Sequence, residues 1–301
     1  MSRRELRWIV TDQDPTQLGA LLARLGTAAE GALAQGRVFV DGRRISDDRL
    51  RLRPGQTVSL SAARASAPDE PVRLLAERDG LIAVYKPSGL STEPDRRGSD
   101  SLCSRVAVLR QVPVPTVHAC SRLDHGVSGV VLVAATAAAR EHAARERSQG
   151  GIRRRYVAIA AAAPSSTRGS WQTPVGDRAA LTRFACIETL GSGPALLALE
   201  PDTGRKHQLR IHASRAGSPL LGDDTYGGPR KRVLVSGSVL EFRRVLLHAA
   251  SLTLRDSRGE RWRIEAPVAG ELLNAWEKLG GSAEPWLEAL RENLFGDRRE
   301  P

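Results

Sequence analysis

The chain has 301 residues, 41% of them hydrophobic, and a formal net charge of +11 at pH 7, from 45 lysines and arginines against 34 acids. That length and apolar share suit one large core with a small satellite domain and exclude a chain disordered throughout. No run of about 18 apolar residues occurs, and the start, Met1-Ser2-Arg3-Arg4-Glu5-Leu6-Arg7-Trp8, lacks the apolar stretch of a secretory leader, so no membrane association and a cytoplasmic location are expected.

From the amino end, Leu18, Leu21, Leu22 and Leu25 recur at the i, i+3, i+4, i+7 spacing of an amphipathic helix over residues 16–26, which Gly26 ends. Thr27 suits the cap of a second helix through about Gln35, closed by Gly36. Val38-Phe39-Val40 and Arg43-Arg44-Ile45 flank Asp41-Gly42, a hairpin signal, and Pro54-Gly55 turns the chain into the strand Thr57-Val58-Ser59-Leu60. Two short helices followed by a small basic sheet resemble the S-four-like RNA-binding domain over residues 14–62. Its usual basic start to the second helix is replaced here by Gly26-Thr27-Ala28-Ala29-Glu30. Arg37, Arg43, Arg44, Arg49, Arg51 and Arg53 either compensate or form a solvated face. Residues 63–70, small and polar without periodicity, read as a linker.

A large domain is expected over 71–295. Val72 to Leu75 suits a first strand, and Asp79-Gly80 turns into the buried strand Leu81-Ile82-Ala83-Val84-Tyr85, closed by Lys86-Pro87-Ser88-Gly89. Lys86 is either an ordinary turn lysine or a phosphate contact. Residues 99–111 look helical. The stretch Cys120-Ser121-Arg122-Leu123-Asp124-His125-Gly126-Val127-Ser128-Gly129 then presents one acid on a tight loop before the apolar run Val130 to Ala135, with Gly126 and Gly129 suited to a sharp turn. Taken alone, Asp124 reads as a solvated acid held by its own backbone or as a functional carboxylate.

Residues 135–148 form a polar-faced helix, and Gly151 to Ala160 a strand in which Arg153, Arg154 and Arg155 run into Tyr156. That run suits a base-and-phosphate surface or a charged strand edge that blocks pairing. Short strands follow within Trp171 to Cys186 and Ala195 to Leu199. In Thr203 to Ala213 a helical stripe of Leu209, Ala213 and Ala216 ends at Gly217, and Arg210 points off that stripe. Backbone donors near Thr203 and Gly204, with Arg205 and Lys206, suit a phosphate or carboxylate. His207 and His212 are five apart, not the four that aligns two metal ligands on a helix, so no metal site is expected. Leu246 to Ala249, Leu252 to Leu254 and Trp262 to Pro267 read as closing strands, and 270–279 and 284–294 as terminal helices. Cys103, Cys120 and Cys186 have no paired spacing and read as buried thiols.

The arginine-rich positive charge calls for an anionic partner, with nucleic acid favoured over a bland coding bias. In this setting four blocks in order resemble the RluA-type pseudouridine synthases: Asp79 to Gly89 with its Lys-Pro-x-Gly turn, Ser121 to Gly129 with Arg-Leu-Asp and Ser-Gly, Arg155-Tyr156, and Thr203 to His212 followed by Gly222-Asp223 and Tyr226-Gly227. The resemblance spans about residues 72–267. It implies an α+β fold: a mixed, mainly antiparallel central sheet with flanking helices, beside the small amino-terminal α/β RNA-binding domain. It also implies isomerisation of uridine to pseudouridine without cofactor or metal. The expected partner is structured RNA, ribosomal first and transfer RNA second, acted on by a monomer.

Carried over by position, Asp124 resembles the essential aspartate, Arg122 the arginine that enters the RNA stack, Tyr156 the tyrosine packed on the target base, and Arg210 the basic partner of the acid. Lys86, Arg154, Arg155, Arg205 and Lys206 complete the expected RNA contacts. The chemistry fits these types. A uridine in paired RNA must be unstacked, at roughly a few kcal/mol, and an inserted arginine and an aromatic platform replace part of the lost stacking. Glycosidic cleavage then needs an ionised carboxylate, as nucleophile at the anomeric carbon or base at its neighbour, and a nearby arginine keeps it charged. Ser121 stands where the family carries His, and Val127 where it carries Thr. Two other readings of the same cleft are a catalytically degenerate RNA-binding paralogue active in ribosome assembly and an N-glycosidase.

Overall fold

In the computed structural model, residues 6–26, 32–33, 38–45, 47–60, 70–94, 100–234 and 236–296 are described. They belong to two units, Met1–Ala67 and Pro68–Pro301. Of the helix expected at 27–35 only residues 32–33, a turn, are described, and nearly all of the linker expected at 63–70 lies outside the described residues.

The first unit holds β1 (Leu6–Ile9), α1 (Leu18–Arg24), β2 (Val38–Val40), β3 (Arg43–Arg44) and β4 (Thr57–Leu60) in an antiparallel sheet of order β1-β4-β2-β3. The leucine stripe of α1 buries Leu18, Leu21 and Leu22 against Val38, Val40, Val58 and Leu60. Those four belong to one sheet face because Val38 pairs with Leu60 and Val40 with Val58. Strand β1 was not expected. It is four residues long and joins the sheet only by pairing with β4, some fifty residues later, so its local sequence carries little strand signal.

The second unit runs β5 (Arg73–Arg78), β6 (Leu81–Lys86), α2 (Leu102–Arg110), β7 (His118–Ala119), β8 (Ser128–Ala134), α3 (Ala137–Ser148), β9 (Arg153–Ala160), β10 (Arg168–Trp171), β11 (Thr182–Thr189), β12 (Ala195–Pro201) and α4 (Gln208–Arg215). It continues through β13 (Lys231–Val233), β14 (Val239–Glu241), β15 (Leu247–Arg255), β16 (Arg261–Glu265), α5 (Gly270–Lys278) and α6 (Glu284–Ala289). Ten of these strands form one sheet of order β10-β11-β12-β9-β15-β8-β6-β5, with β16 paired to β15 and β7 to β8. Every pair is antiparallel except β15 with β8. The fold is therefore α+β around a mixed, mainly antiparallel sheet. The two closing strands read at 246–249 and 252–254 are one central strand, β15, which begins at Leu247 and is bulged between Ala249 and Ser251.

Helices cover both faces. α3 and α4 contribute Ala139, Ala143, Leu209 and Ala213 to the core on one face, while Leu272, Trp276 and Trp286 of α5 and α6 pack on the other. α2 packs Leu102, Val106 and Ala107 against Ile82, Val84, Val131 and Val133. One row of cross-strand partners runs Lys86, Gly129, Ala249, Tyr156, Leu199. Gly129 is required in that row. Its φ is +123°, and a Cβ there would lie 2.2 Å from the Ala249 carbonyl oxygen across the parallel pair. Gly126 has no such demand, since its added Cβ would meet only Val245, at 3.5 Å. Cys103 and Cys120 are buried as expected, whereas Cys186 is only half-buried.

Candidate active site

Asp124 lies in the loop between β7 and β8, and that loop is held chiefly through its backbone. The Thr92 hydroxyl donates to the Leu123 carbonyl at 3.0 Å and accepts from the Leu123 N–H at 3.1 Å. The His125 carbonyl accepts from the Gly89 N–H at 2.8 Å, and the Gly126 carbonyl from the Ser88 hydroxyl at 3.1 Å. Val127 N–H closes the turn onto the Asp124 carbonyl at 3.0 Å. Ser121, at one departure from the family pattern, accepts from the Leu132 N–H at 3.3 Å, and Val127, at the other, is buried. The departures therefore leave the loop pinned on both sides of the acid.

Lys86 is part of this clamp. It is fully buried, and its Nζ donates to the carbonyls of Pro87 (2.9 Å) and Leu90 (2.8 Å), with His125 O at 3.5 Å. Neither reading from the sequence is met, because the ammonium is buried against backbone oxygens inside the protein. Burial, helped by the charge of Arg244, lowers its pKa to about 7 against the opposing pull of Asp124. Arg244, itself buried, ties its Nε to Glu271 at 2.7 Å and aims Nη1 at the carbonyls of Val245 and Leu247, each at 3.3 Å.

The Asp124 carboxylate meets α4. Arg210 donates from Nη1 to Asp124 Oδ2 at 3.1 Å, and from Nε and Nη2 to Asp223 at 2.7 and 2.6 Å. Asp223 is 1% exposed, whereas the Asp124 side chain is 27% exposed, so one guanidinium joins a buried carboxylate to an open one. Burial alone would lower the Arg210 pKa. The hydrogen bonds and charges of Asp223, then of Asp124, outweigh it and raise the pKa above the ordinary arginine value. Tyr226 lies under the guanidinium, 5.0 Å from its ring centre, and its hydroxyl is 2.8 Å from His207 Nδ1. His207 Nε2 is in turn 3.7 Å from Asp124 Oδ1.

The arginine run on β9 divides by the two-residue period of a strand. Arg154 and Tyr156 face the site, and Arg154 interacts with the Tyr156 hydroxyl. Burial, then the Asp124 charge, raises the Tyr156 pKa. The residue is only 6% exposed, so a base can meet no more than a small part of it. Arg155 faces the other way, ion-paired to Glu200 at 3.0 Å and donating to the Arg291 carbonyl at 2.7 Å. That burial removes Arg155 from the expected RNA contacts.

Arg122 is 75% exposed beside Asp124 and rests against Glu93 at 3.3 Å. Lys206 is exposed, whereas Arg205 ties its Nε to the Ala179 carbonyl at 3.1 Å. The donor-rich helix start expected at Thr203 and Gly204 is displaced to Gln208, because the Gln208 side chain turns back to accept from the Thr203 hydroxyl (2.8 Å) and the Arg205 N–H (3.0 Å). Among the described residues, no group of three or more His, Cys, Asp or Glu side chains is placed to hold a metal ion. Thr92, Arg244 and His207 were not read as site residues. Thr92 and Arg244 act through contacts with residues far away in the chain, and only the density of polar residues around His207 marked it.

Residues 80–215 match the sequence profile of a family described as RNA pseudouridylate synthase. The chain is 32% identical over 220 residues to the dual-specificity RNA pseudouridine synthase RluA of Escherichia coli strain K12, covering 67% of this chain and 95% of that one. It is 28% identical over 282 residues to the ribosomal large subunit pseudouridine synthase D of Vibrio vulnificus, covering 84% and 86%. Among solved structures, human RNA pseudouridylate synthase domain containing 4 is similar with a TM-score of 0.57 at 21% identity, over 69% of this chain and 92% of that one. The human domain containing 1 protein gives 0.52 at 24% identity, over 67% and 86%.

Proposed function

The chain belongs to the RNA pseudouridylate synthase family, and from that premise we propose that its Asp124 is the carboxylate that acts on the sugar of an everted uridine in ribosomal RNA. The observation that carries the assignment is the arginine-held acid: Asp124 is open on one side and fastened through Arg210 to the buried Asp223 on the other.

The reaction is an isomerisation. The bond from the anomeric carbon to N1 of uracil breaks, the freed ring rotates, and a bond forms from the same carbon to C5. The proton leaving C5 is balanced by one gained at N1. Asp124 serves as nucleophile at the anomeric carbon or as base at the adjacent carbon. Arg210 orients the carboxylate and offsets its charge without taking a proton, because the guanidinium stays protonated throughout the working range. Tyr156 and Arg154 line the wall against the base, and the exposed Arg122 leaves Glu93 to follow the RNA into the space the uridine leaves. Exclusion of water protects the activated sugar carbon from capture by water before the detached uracil rejoins it through C5.

Lys206 and Arg154 are the basic side chains best placed to meet phosphate near the acid. The amino-terminal unit is assigned an RNA-binding role as an S-four-like module. The reading takes the protein to act as a monomer, and ribosomal RNA as substrate puts the reaction in the cytoplasm. Pseudouridine mapping of ribosomal and transfer RNA from a deletion strain, complemented with wild type or Asp124→Asn, tests the reading. At least one ribosomal site should vanish on deletion and return only with wild type. Unchanged maps together with defective ribosome assembly would support the degenerate paralogue and contradict the proposal.

A further inference from the structure

The two oxygens of Asp124 stand in different surroundings. Oδ2 accepts from Arg210 Nη1 at 3.1 Å, whereas Oδ1 faces His207 Nε2 at 3.7 Å, just beyond hydrogen-bond range. We propose that His207 is a positioning residue for the carboxylate, donating from Nε2 to Asp124 Oδ1 when RNA closes the site, with the Tyr226 hydroxyl fixing the tautomer that permits this. The inference rests on Asp124 being the acid at the sugar.

The tautomer follows from the neighbours. A neutral imidazole has one N–H and one lone pair, and Nδ1 is 2.8 Å from the Tyr226 hydroxyl. With that hydroxyl donating to Nδ1, the proton sits on Nε2 and faces the carboxylate. The opposite tautomer would set a lone pair against a negative oxygen, so Asp124 selects the first. Burial favours the neutral ring, and the charges of Arg210 and Lys206 push the same way against those of Asp124 and Asp223. A neutral donor can direct Oδ1 without cancelling the charge that makes it reactive.

The backbone is committed to this placement. His207 has φ 56° and ψ 18°, a left-handed conformation that a residue with a Cβ adopts at a cost. The other described non-glycine residues with positive φ are Asp41 and Asp79, each before a turn glycine, and Gln111 at a helix C-cap. His207 instead opens a helix, a position normally served by extended backbone. Gln208 enforces the conformation: its Oε1 accepts from Thr203 and Arg205, and its Nε2 donates to the Leu181 carbonyl (2.9 Å) and the Thr182 hydroxyl (3.0 Å). Costly conformations persist where the surroundings over-determine them, and they gather at functional sites.

The test is steady-state kinetics of the full-length protein on an RNA segment whose uridine the wild type converts, with His207→Ala, His207→Gln, Tyr226→Phe and Asp124→Asn in parallel and thermal melts for each. His207→Ala should lower kcat about a hundredfold with KM within about twofold, the scale of a misplaced reacting group. His207→Gln keeps an N–H near the Nε2 position and should recover at least about tenfold of that loss, while Tyr226→Phe should lower kcat with the fold intact. Equal loss in the Ala and Gln variants alongside lowered melting temperatures would reduce His207 to a structural role and overturn the inference. Unchanged kcat in His207→Ala, with Asp124→Asn inactive, would overturn it and leave the role of Asp124 standing. Full turnover by Asp124→Asn would remove both.

Discussion

Arg210 grips Asp223 with two nitrogens, Nε at 2.7 Å and Nη2 at 2.6 Å, and has one left, Nη1, for Asp124. The buried carboxylate thus sets the direction of the guanidinium, and the guanidinium sets the open carboxylate. Arg210→Met should lose activity and about 3–5 kcal/mol of stability, because it strands Asp223 in the interior. Adding Asp223→Leu should recover most of the stability and none of the turnover. Urea denaturation beside an activity assay separates the two effects, and a double variant as unstable as the single one would show that Asp223 is not what Arg210 supports.

Lys86 should make stability depend on pH in the alkaline range. It loses its proton at about pH 7 in the folded protein and near 10.5 when unfolded. Between those values the unfolded chain binds the extra proton, so this group makes stability rise with pH by at most about 1.4 kcal/mol per unit. Denaturation of wild type and Lys86→Met at pH 7.5 and 9.5, values chosen inside roughly that window, should show the gap between them moving in favour of wild type. Parallel pH dependence would place the ammonium in a wetter setting than the three carbonyls around it imply.

Gly129→Ala should destabilise by about 3 kcal/mol or more and lower activity with it. The added carbon would meet the Ala249 backbone at 2.2 Å, where the parallel pairing of β8 and β15 leaves no flexible side chain to move aside. Gly126→Ala, with only Val245 at 3.5 Å, is the control and should fold normally. Melting curves of the two variants decide it. Equal stability would mean that the strands separate at little cost.

Arg122→Ala should leave stability within about 0.5 kcal/mol of wild type, as an exposed substitution does. Turnover on structured RNA should fall sharply, and less so on a single-stranded substrate whose uridine is already unstacked. An equal loss on both substrates would assign Arg122 to phosphate binding rather than to the vacated stack.

Legibility in the sequence followed the range of the interaction. The leucine stripe of α1 and the apolar runs of β6 and β8 are local, and each formed the element its pattern implied. The resemblance names Asp124 and Arg210 and pairs them, whereas periodicity and spacing alone carry no contact across 86 residues. Arg154 and Arg155 both belong to the expected RNA contacts, yet the two-residue period of a strand puts them on opposite faces. Lys86 could not be read correctly, because its surroundings include a carbonyl 39 residues away. The hairpin of β13 and β14 also went unread: its strands are three residues each and pair only with one another, with Val233 and Val239 exposed. The start of α4 was misplaced because a side chain, Gln208, took the backbone donor expected to begin it.

Release of tritium from RNA labelled at uracil carbon 5 reads the bond change itself, since that hydrogen leaves only when the ring rejoins the sugar through carbon. With purified protein in excess over RNA, wild type should release the label from a defined uridine. Asp124→Asn should bind the RNA with unchanged affinity and release none. Label release by the variant at the wild-type rate would contradict the assignment of the reaction to this carboxylate.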